Sequence, residues 1–152
     1  MTAEETSKLE GYYTITCNGE YLDLATNPVP TRDFKYSDLT LRPDPPRTGH
    51  QWRITPVPNT KAYWLAARAG EFGTEYELRP GRVIVSPRSS QAIWELSPLE
   101  GKQDTYTISF HEPWDERKKL WGVAENGERP TIFCRYWDEV TEQHHFTFTK
   151  AT

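Results

Sequence analysis

Four histidines, two cysteines and a scatter of acidic residues are the groups in this chain able to do catalysis or bind a metal. Hydrolysis needs a nucleophile, a base and an orienting group brought together, and a metal site needs clustered ligands. His144 and His145 are adjacent; on an extended strand they point to opposite faces and cannot easily share a metal. His50 stands just before Gln51-Trp52 and reads as a strand-edge or surface residue, and His111 opens a charged loop. The chain holds no His-Glu-x-x-His, no Cys-x-x-Cys and no phosphate-cradling glycine loop. Asp115-Glu116 and Asp138-Glu139 lie among Lys and Arg and read as solvated. Cys17 and Cys134 are too few for a disulfide scaffold and read as small buried hydrophobes on strands. These groups do not make an enzyme, and neither metal nor cofactor is expected.

The remaining chemistry is recognition, which concentrates in loops held by a rigid frame. The segment Ala25-Thr26-Asn27-Pro28-Val29-Pro30 carries two prolines within three residues. Proline fixes its own φ and pushes the preceding residue, here Asn27 and Val29, toward an extended conformation. A proteinase cleft takes an extended segment, and a segment already ordered loses less entropy on binding. Ala25, Thr26, Asn27, Pro28 and Val29 are therefore the candidate bait, and Pro28 makes the bond after Asn27 a poor substrate. A trypsin-like pocket pairs an acid with Arg or Lys. On charge alone Arg88 or Arg32 is preferred to Asn27, whereas loop length and rigidity favour Asn27. Trp114 and Trp137 also fall in charged loops, either as exposed contacts or as packing over a barrel end.

The elements that would position these loops are written as a repeat. Aromatic-x-aliphatic strands open three units (Tyr13-Thr14-Ile15, Tyr63-Trp64-Leu65, Tyr106-Thr107-Ile108) and close them (Trp52-Arg53-Ile54, Trp94-Glu95-Leu96, Phe146-Thr147-Phe148). A Gln precedes each closing aromatic (Gln51, Gln91, Gln143), and a Pro follows the first two closers (Pro56, Pro98). The spacing, roughly 42 to 52 residues, suits four short strands per unit. Four strands times three predicts an all-β chain: a β-trefoil of twelve strands, with a six-strand barrel capped by three hairpins. Closure also deals with exposed strand edges. An eight-strand barrel leaves the three-fold recurrence unexplained. The expected layout is one domain over residues 1–152, with a polar tail at 1–9 and repeats at about 11–58, 61–100 and 104–150.

Composition agrees with that frame. A chain of 152 residues buries roughly 70% of its unfolded surface. Hydrophobic content is only 36%, but six Trp and eight Tyr supply large core side chains. Twelve Pro and nine Gly punctuate short elements and disfavour long helices. The net charge of -4, with no basic stripe, argues against a nucleic-acid partner. The first residues lack the apolar core of a secretory signal, and no apolar run is long enough for a membrane helix. A cytoplasmic monomer is expected.

The closers Gln51-Trp52-Arg53-Ile54-Thr55-Pro56 and Gln91-Ala92-Ile93-Trp94-Glu95-Leu96-Ser97-Pro98, with the proline-rich loops, give a further pointer. From Gly11 to Lys150 the chain resembles the β-trefoil proteinase inhibitors of mushrooms: the mycospin-like serine proteinase inhibitors and their relatives, the mycocypins. The resemblance implies a fungal defensive or regulatory inhibitor that inserts one exposed loop into an enzyme in a substrate-like manner. It implies residues 25–29 as that loop, Asn27 at the specificity pocket, and a trypsin-like serine proteinase as partner. Relatives that block papain-like enzymes use glycine-rich first and third loops of the first repeat. Here Asn18-Gly19 and residues 43–49 lack a Gly-Gly pair. The legumain-directed loop of that group carries an Asn, and residues 68–73 have none. The alternative is a ricin-B-like lectin, whose Gln-x-Trp core signature is matched only loosely and whose three sugar-binding sets are not found. Cysteine-proteinase inhibition ranks third.

Overall fold

The computed structural model describes residues 9–25, 36–46, 50–77, 81–86, 92–111, 114–126 and 129–151. Among these, twelve strands follow in chain order. The first repeat holds β1 (Gly11–Cys17), β2 (Glu20–Leu24), β3 (Ser37–Arg42) and β4 (Trp52–Pro56). The second holds β5 (Ala62–Ala67), β6 (Phe72–Tyr76), β7 (Val83–Val85) and β8 (Trp94–Pro98). The third holds β9 (Thr105–Phe110), β10 (Lys119–Asn126), β11 (Arg129–Arg135) and β12 (Phe146–Lys150).

The first and fourth strands of each repeat close a ring. β1 pairs with β4, β4 with β5, β5 with β8, β8 with β9, β9 with β12, and β12 returns to β1. The middle strands form the hairpins β2–β3, β6–β7 and β10–β11. The chain is a β-trefoil.

The repeated motif sets the register. Each opening aromatic faces its own closing aromatic: Tyr13 opposite Trp52, Tyr63 opposite Trp94, Tyr106 opposite Phe146. Two residues on, each closing aliphatic or aromatic faces the next opener: Ile54 opposite Leu65, Leu96 opposite Ile108, Phe148 opposite Ile15. A period of two keeps both positions on one face, and Trp52, Trp94 and Phe146 are fully buried there. Trp121 joins them, edge-on to Trp94 at 5.1 Å and to Phe146 at 6.0 Å. Two of the three fully buried indoles have acceptors, and Trp121 Nε1 has none among the described residues. Trp52 Nε1 donates to Leu22 O at 3.1 Å, and Trp94 Nε1 donates to Thr74 Oγ1 at 2.8 Å.

The hairpins meet in a cap. β3 pairs with β7, Arg82 bridges to Phe133, and Thr40 Oγ1 donates to Pro130 O at 2.7 Å. The Asn18-Gly19 turn has φ of 53° and 80°, the pair of positive values a tight hairpin requires.

Several local expectations are corrected. His144 is not on a strand: it ends a 3-10 turn, Glu142–His144, and β12 begins at Phe146. The cause is a local cap, in which Thr141 Oγ1 accepts from Gln143 N–H and His144 Nδ1 accepts from Thr141 N–H at 2.9 Å. The turn buries His144 against Trp137, with ring centroids 4.7 Å apart. Trp137 is thus packing, its Nε1 donating to Leu120 O at 2.8 Å, while Trp114 is 81% exposed. β6 starts at Phe72, two residues before the expected Thr74, after a 3-10 turn at Ala69–Glu71. β10 and β11 outrun their apolar centres, since their ladder continues to Asn126 opposite Arg129. Cys17 and Cys134 are free and buried, and burial pushes their thiols up to about 11 and about 12.

Candidate functional site: the stems of the long connection

The three hairpins differ most in how their strands are joined. β10 and β11 are paired up to Asn126 and Arg129, leaving a two-residue link between them. Between β6 and β7, Glu77 N–H donates to Arg82 O at 2.9 Å and closes the turn early. Between β2 and β3 the ladder ends at Leu24 opposite Leu39, and the chain runs from Ala25 to Tyr36 before rejoining the sheet. Ala25 is half-buried at the start of that connection. Thr26, Asn27, Pro28, Val29 and Arg32 lie outside the described residues, as do Arg88 and the tail at 1–8.

The outgoing stem rests on a polar cluster built from three elements. Asp23, on β2, is buried between two leucines. Its Oδ1 accepts from Leu24 N–H at 2.7 Å and lies 2.6 Å from His50 Nδ1. Its Oδ2 lies 3.1 Å from Nε of Arg42, at the end of β3. The Arg42 guanidinium then donates to Leu24 O at 3.3 Å. Both backbone polar groups of the last β2 residue are therefore held by side chains. A depression of about 450 Å³ lies between this cluster and the Pro43-Asp44-Pro45-Pro46 segment. His50 is no surface residue: its side chain is only 14% exposed and bonded to Asp23. Sequence reading missed it because its acidic partner lies 27 residues away.

The returning stem rests on a second cluster. Asp38 O accepts from Ala25 N–H at 2.9 Å and from Ser37 Oγ at 2.8 Å. The buried Asp38 carboxylate faces Arg82 Nη1 at 3.2 Å, with Arg129 Nη2 at 3.8 Å. Arg82 also donates to both Glu77 oxygens, at 2.6 and 3.0 Å, and lies 5.5 Å from the Tyr36 ring. The Glu77 hydrogen bonds raise the Arg82 pKa still further, so the guanidinium stays charged. Most polar groups at the two stems are thus matched to donors or acceptors, while Asp38 Oδ1 meets Arg82 as an ion pair without a hydrogen bond.

A second exposed feature lies on the β9–β10 connection. Asp115 accepts from Arg117 N–H and from Tyr136 Oη, both at 2.9 Å. Hydrogen bonds from Arg117 hold the Asp115 carboxyl well below the usual carboxylate range. Lys118 and His111 both reach Glu95, at 2.8 and 3.4 Å. Trp114 stands outside these contacts. Among the described residues no cluster of three His, Cys, Asp or Glu could hold a metal.

No family model matches the chain, and no curated protein matches it in sequence. Solved structures do. A proteinase inhibitor from Coprinopsis cinerea superposes with a TM-score of 0.69 at 15% identity, covering 95% of this chain and all of that one. ThreeFoil, a designed 3-fold symmetric protein, gives 0.69 at 16% identity over 93% of this chain and all of its own. The Macrolepiota procera ricin B-like lectin, solved with lactose, gives 0.62 at 18% identity over 96% of this chain and all of its own. At these identities the likeness places the chain among β-trefoil proteins and reaches no further than the fold. An inhibitor, a designed frame and a lectin share it, so function must be argued from the site.

Proposed function

We propose that this chain is an inhibitor of serine proteinases, trypsin-like enzymes first. It acts by inserting residues 25–29 into the enzyme cleft in a substrate-like manner, with Asn27 at the specificity pocket. One observation carries the reading: the connection that departs furthest from the three-fold pattern has both stems fixed by buried acid–base clusters. Stems held in that way are already ordered in the unbound protein, so less conformational entropy is lost at them when an enzyme binds the connection. Proline at 28 adds local stiffness and disfavours turnover of the bond after Asn27. The likeness to the Coprinopsis cinerea inhibitor supports this reading without fixing the target.

The test is titration of trypsin and chymotrypsin with the protein, following hydrolysis of a small substrate. Stoichiometric, slowly reversed inhibition is expected. Asn27→Arg should strengthen trypsin inhibition, because an acidic pocket pairs with a guanidinium, and Arg88→Ala should leave it unchanged. If the Arg88 change alone alters inhibition, the reactive residue lies on the other loop. The second reading is a carbohydrate-binding lectin, favoured by Trp114, whose exposed ring beside Asp115 offers a face for a sugar. Glycan-array binding without inhibition would establish it in place of the first.

A further inference from the structure

The contacts that hold the start of the long connection come from outside it. Leu24 is the last β2 residue, and Asp23 takes its N–H while Arg42 takes its carbonyl. One carboxylate thus organises three donors: a backbone amide, the His50 imidazole and the Arg42 guanidinium. Asp38 O then takes the next amide, that of Ala25. Residues 24 and 25 are fixed one after the other, at the point where the chain leaves the sheet. The Asp23 side chain is 9% exposed. A buried carboxylate contributes little net stability even when well paired, so its position at the stem calls for another explanation.

We infer that Asp23 is a positioning residue for the 25–29 segment, an inference resting on the inhibitor reading. Asp23 touches no enzyme. It fixes the backbone at Leu24, just before Ala25 where the bait begins, and so favours slow release from the proteinase. Supporting groups of this kind commonly decide whether a presented segment is precise or loose. Asparagine fills the same space but offers one acceptor oxygen and one NH2. In either orientation its NH2 faces a donor, Arg42 Nε or else His50 Nδ1 with the Leu24 amide, so Asp23→Asn keeps the volume while breaking one side of the cluster.

The experiment combines two readouts on the full-length protein. Hydrogen exchange at the Leu24 and Ala25 amides reports the stem without any enzyme, and trypsin inhibition with mass analysis of the bound chain reports function. For Asp23→Asn, exchange at both amides should rise about 10-fold or more. The inhibition constant should rise at least about 10-fold, through faster dissociation, and cleavage within residues 25–36 should become detectable. Arg42→Gln, at a half-exposed residue, should move both in the same direction and serves if Asp23→Asn fails to fold. Glu100→Gln, on an exposed turn elsewhere, should move neither. Unchanged exchange in the stem variants overturns the inference, as does faster exchange with wild-type inhibition. A wild-type protein that inhibits no serine proteinase defeats the inhibitor reading instead, and exchange still shows whether Asp23 holds the stem.

Discussion

Replacing Arg82 by methionine tests whether the returning stem is held by charge. Arg82 makes two contacts to Glu77, at 2.6 and 3.0 Å, and reaches the buried Asp38 carboxylate at 3.2 Å. Methionine keeps most of the packing volume and removes every one of these contacts. Asp38 is then left buried, with Arg129 at 3.8 Å its nearest cation among the described residues. Breaking one side of a buried pair typically costs about 3–5 kcal/mol, because the remaining charge is stranded. Arg82 retains 20% side-chain exposure, and Arg129 can draw closer. Both reduce the cost, to about 2–3 kcal/mol. For a chain of this length that is a fall in Tm of roughly 4–12 °C. Urea unfolding at neutral pH should show a lower midpoint with an unchanged m value. The charge argument makes a further demand, namely that Asp38→Asn added to Arg82→Met should recover about 1 kcal/mol or more, since no stranded carboxylate remains. A loss below about 0.5 kcal/mol for Arg82→Met, or a double variant less stable than the single one, would refute the reasoning.

Three other outcomes are expected. Burial lowers the His144 pKa below that of free histidine, and likewise that of His145. The unfolded chain therefore binds these protons first, so stability is full above about pH 6.5 and falls as pH drops through the lowered folded values; urea midpoints at pH 7.5 and pH 5 check this. Gly122→Ala would place a methyl 2.5 Å from Trp137 and 2.6 Å from the His144 ring, costing about 1–3 kcal/mol by overpacking and lowering the urea midpoint. With their thiols raised by burial, Cys17 and Cys134 should react with a thiol reagent only after denaturation, each at a rate set by global unfolding.

Much of the frame was legible because its signal is local and periodic. An aromatic followed two residues later by a second large apolar residue places both on one strand face. Three copies of that pattern at opening and closing positions leave the observed pairing, Tyr13 with Trp52 and its two counterparts, as the arrangement that buries them all. The uneven length of the β2–β3 connection was legible too, since nothing comparable separates the strands of the other hairpins. The clusters beneath it were not. Asp23, Arg42 and His50 each look like ordinary polar residues of short strands and turns, and only the convergence of β2, β3 and the approach to β4 joins them. His144 failed for another reason. Adjacent histidines before an apolar run suggest a strand, yet Thr141-Glu142-Gln143-His144 places a threonine three residues ahead of a side-chain acceptor, the spacing of a capping box.

Buried polar groups separate two kinds of work in this molecule. Thr74 takes the Trp94 N–H and passes its own hydrogen to Leu65 O at 2.7 Å, completing an apolar layer at no cost in charge. That is the economy of a frame, and a three-fold barrel needs no more. Asp23 and Asp38 are different, because each brings an ionised group into the interior, where attraction to a partner does little more than offset desolvation. Apolar side chains at the same places would serve stability equally well. They could not take the amide hydrogens of Leu24, held by the Asp23 carboxylate, or recruit the guanidiniums of Arg42 and Arg82 to opposite stems of one connection. Both carboxylates flank the β2–β3 connection, the longest of the three hairpin links, and a bare three-fold barrel has no use for either.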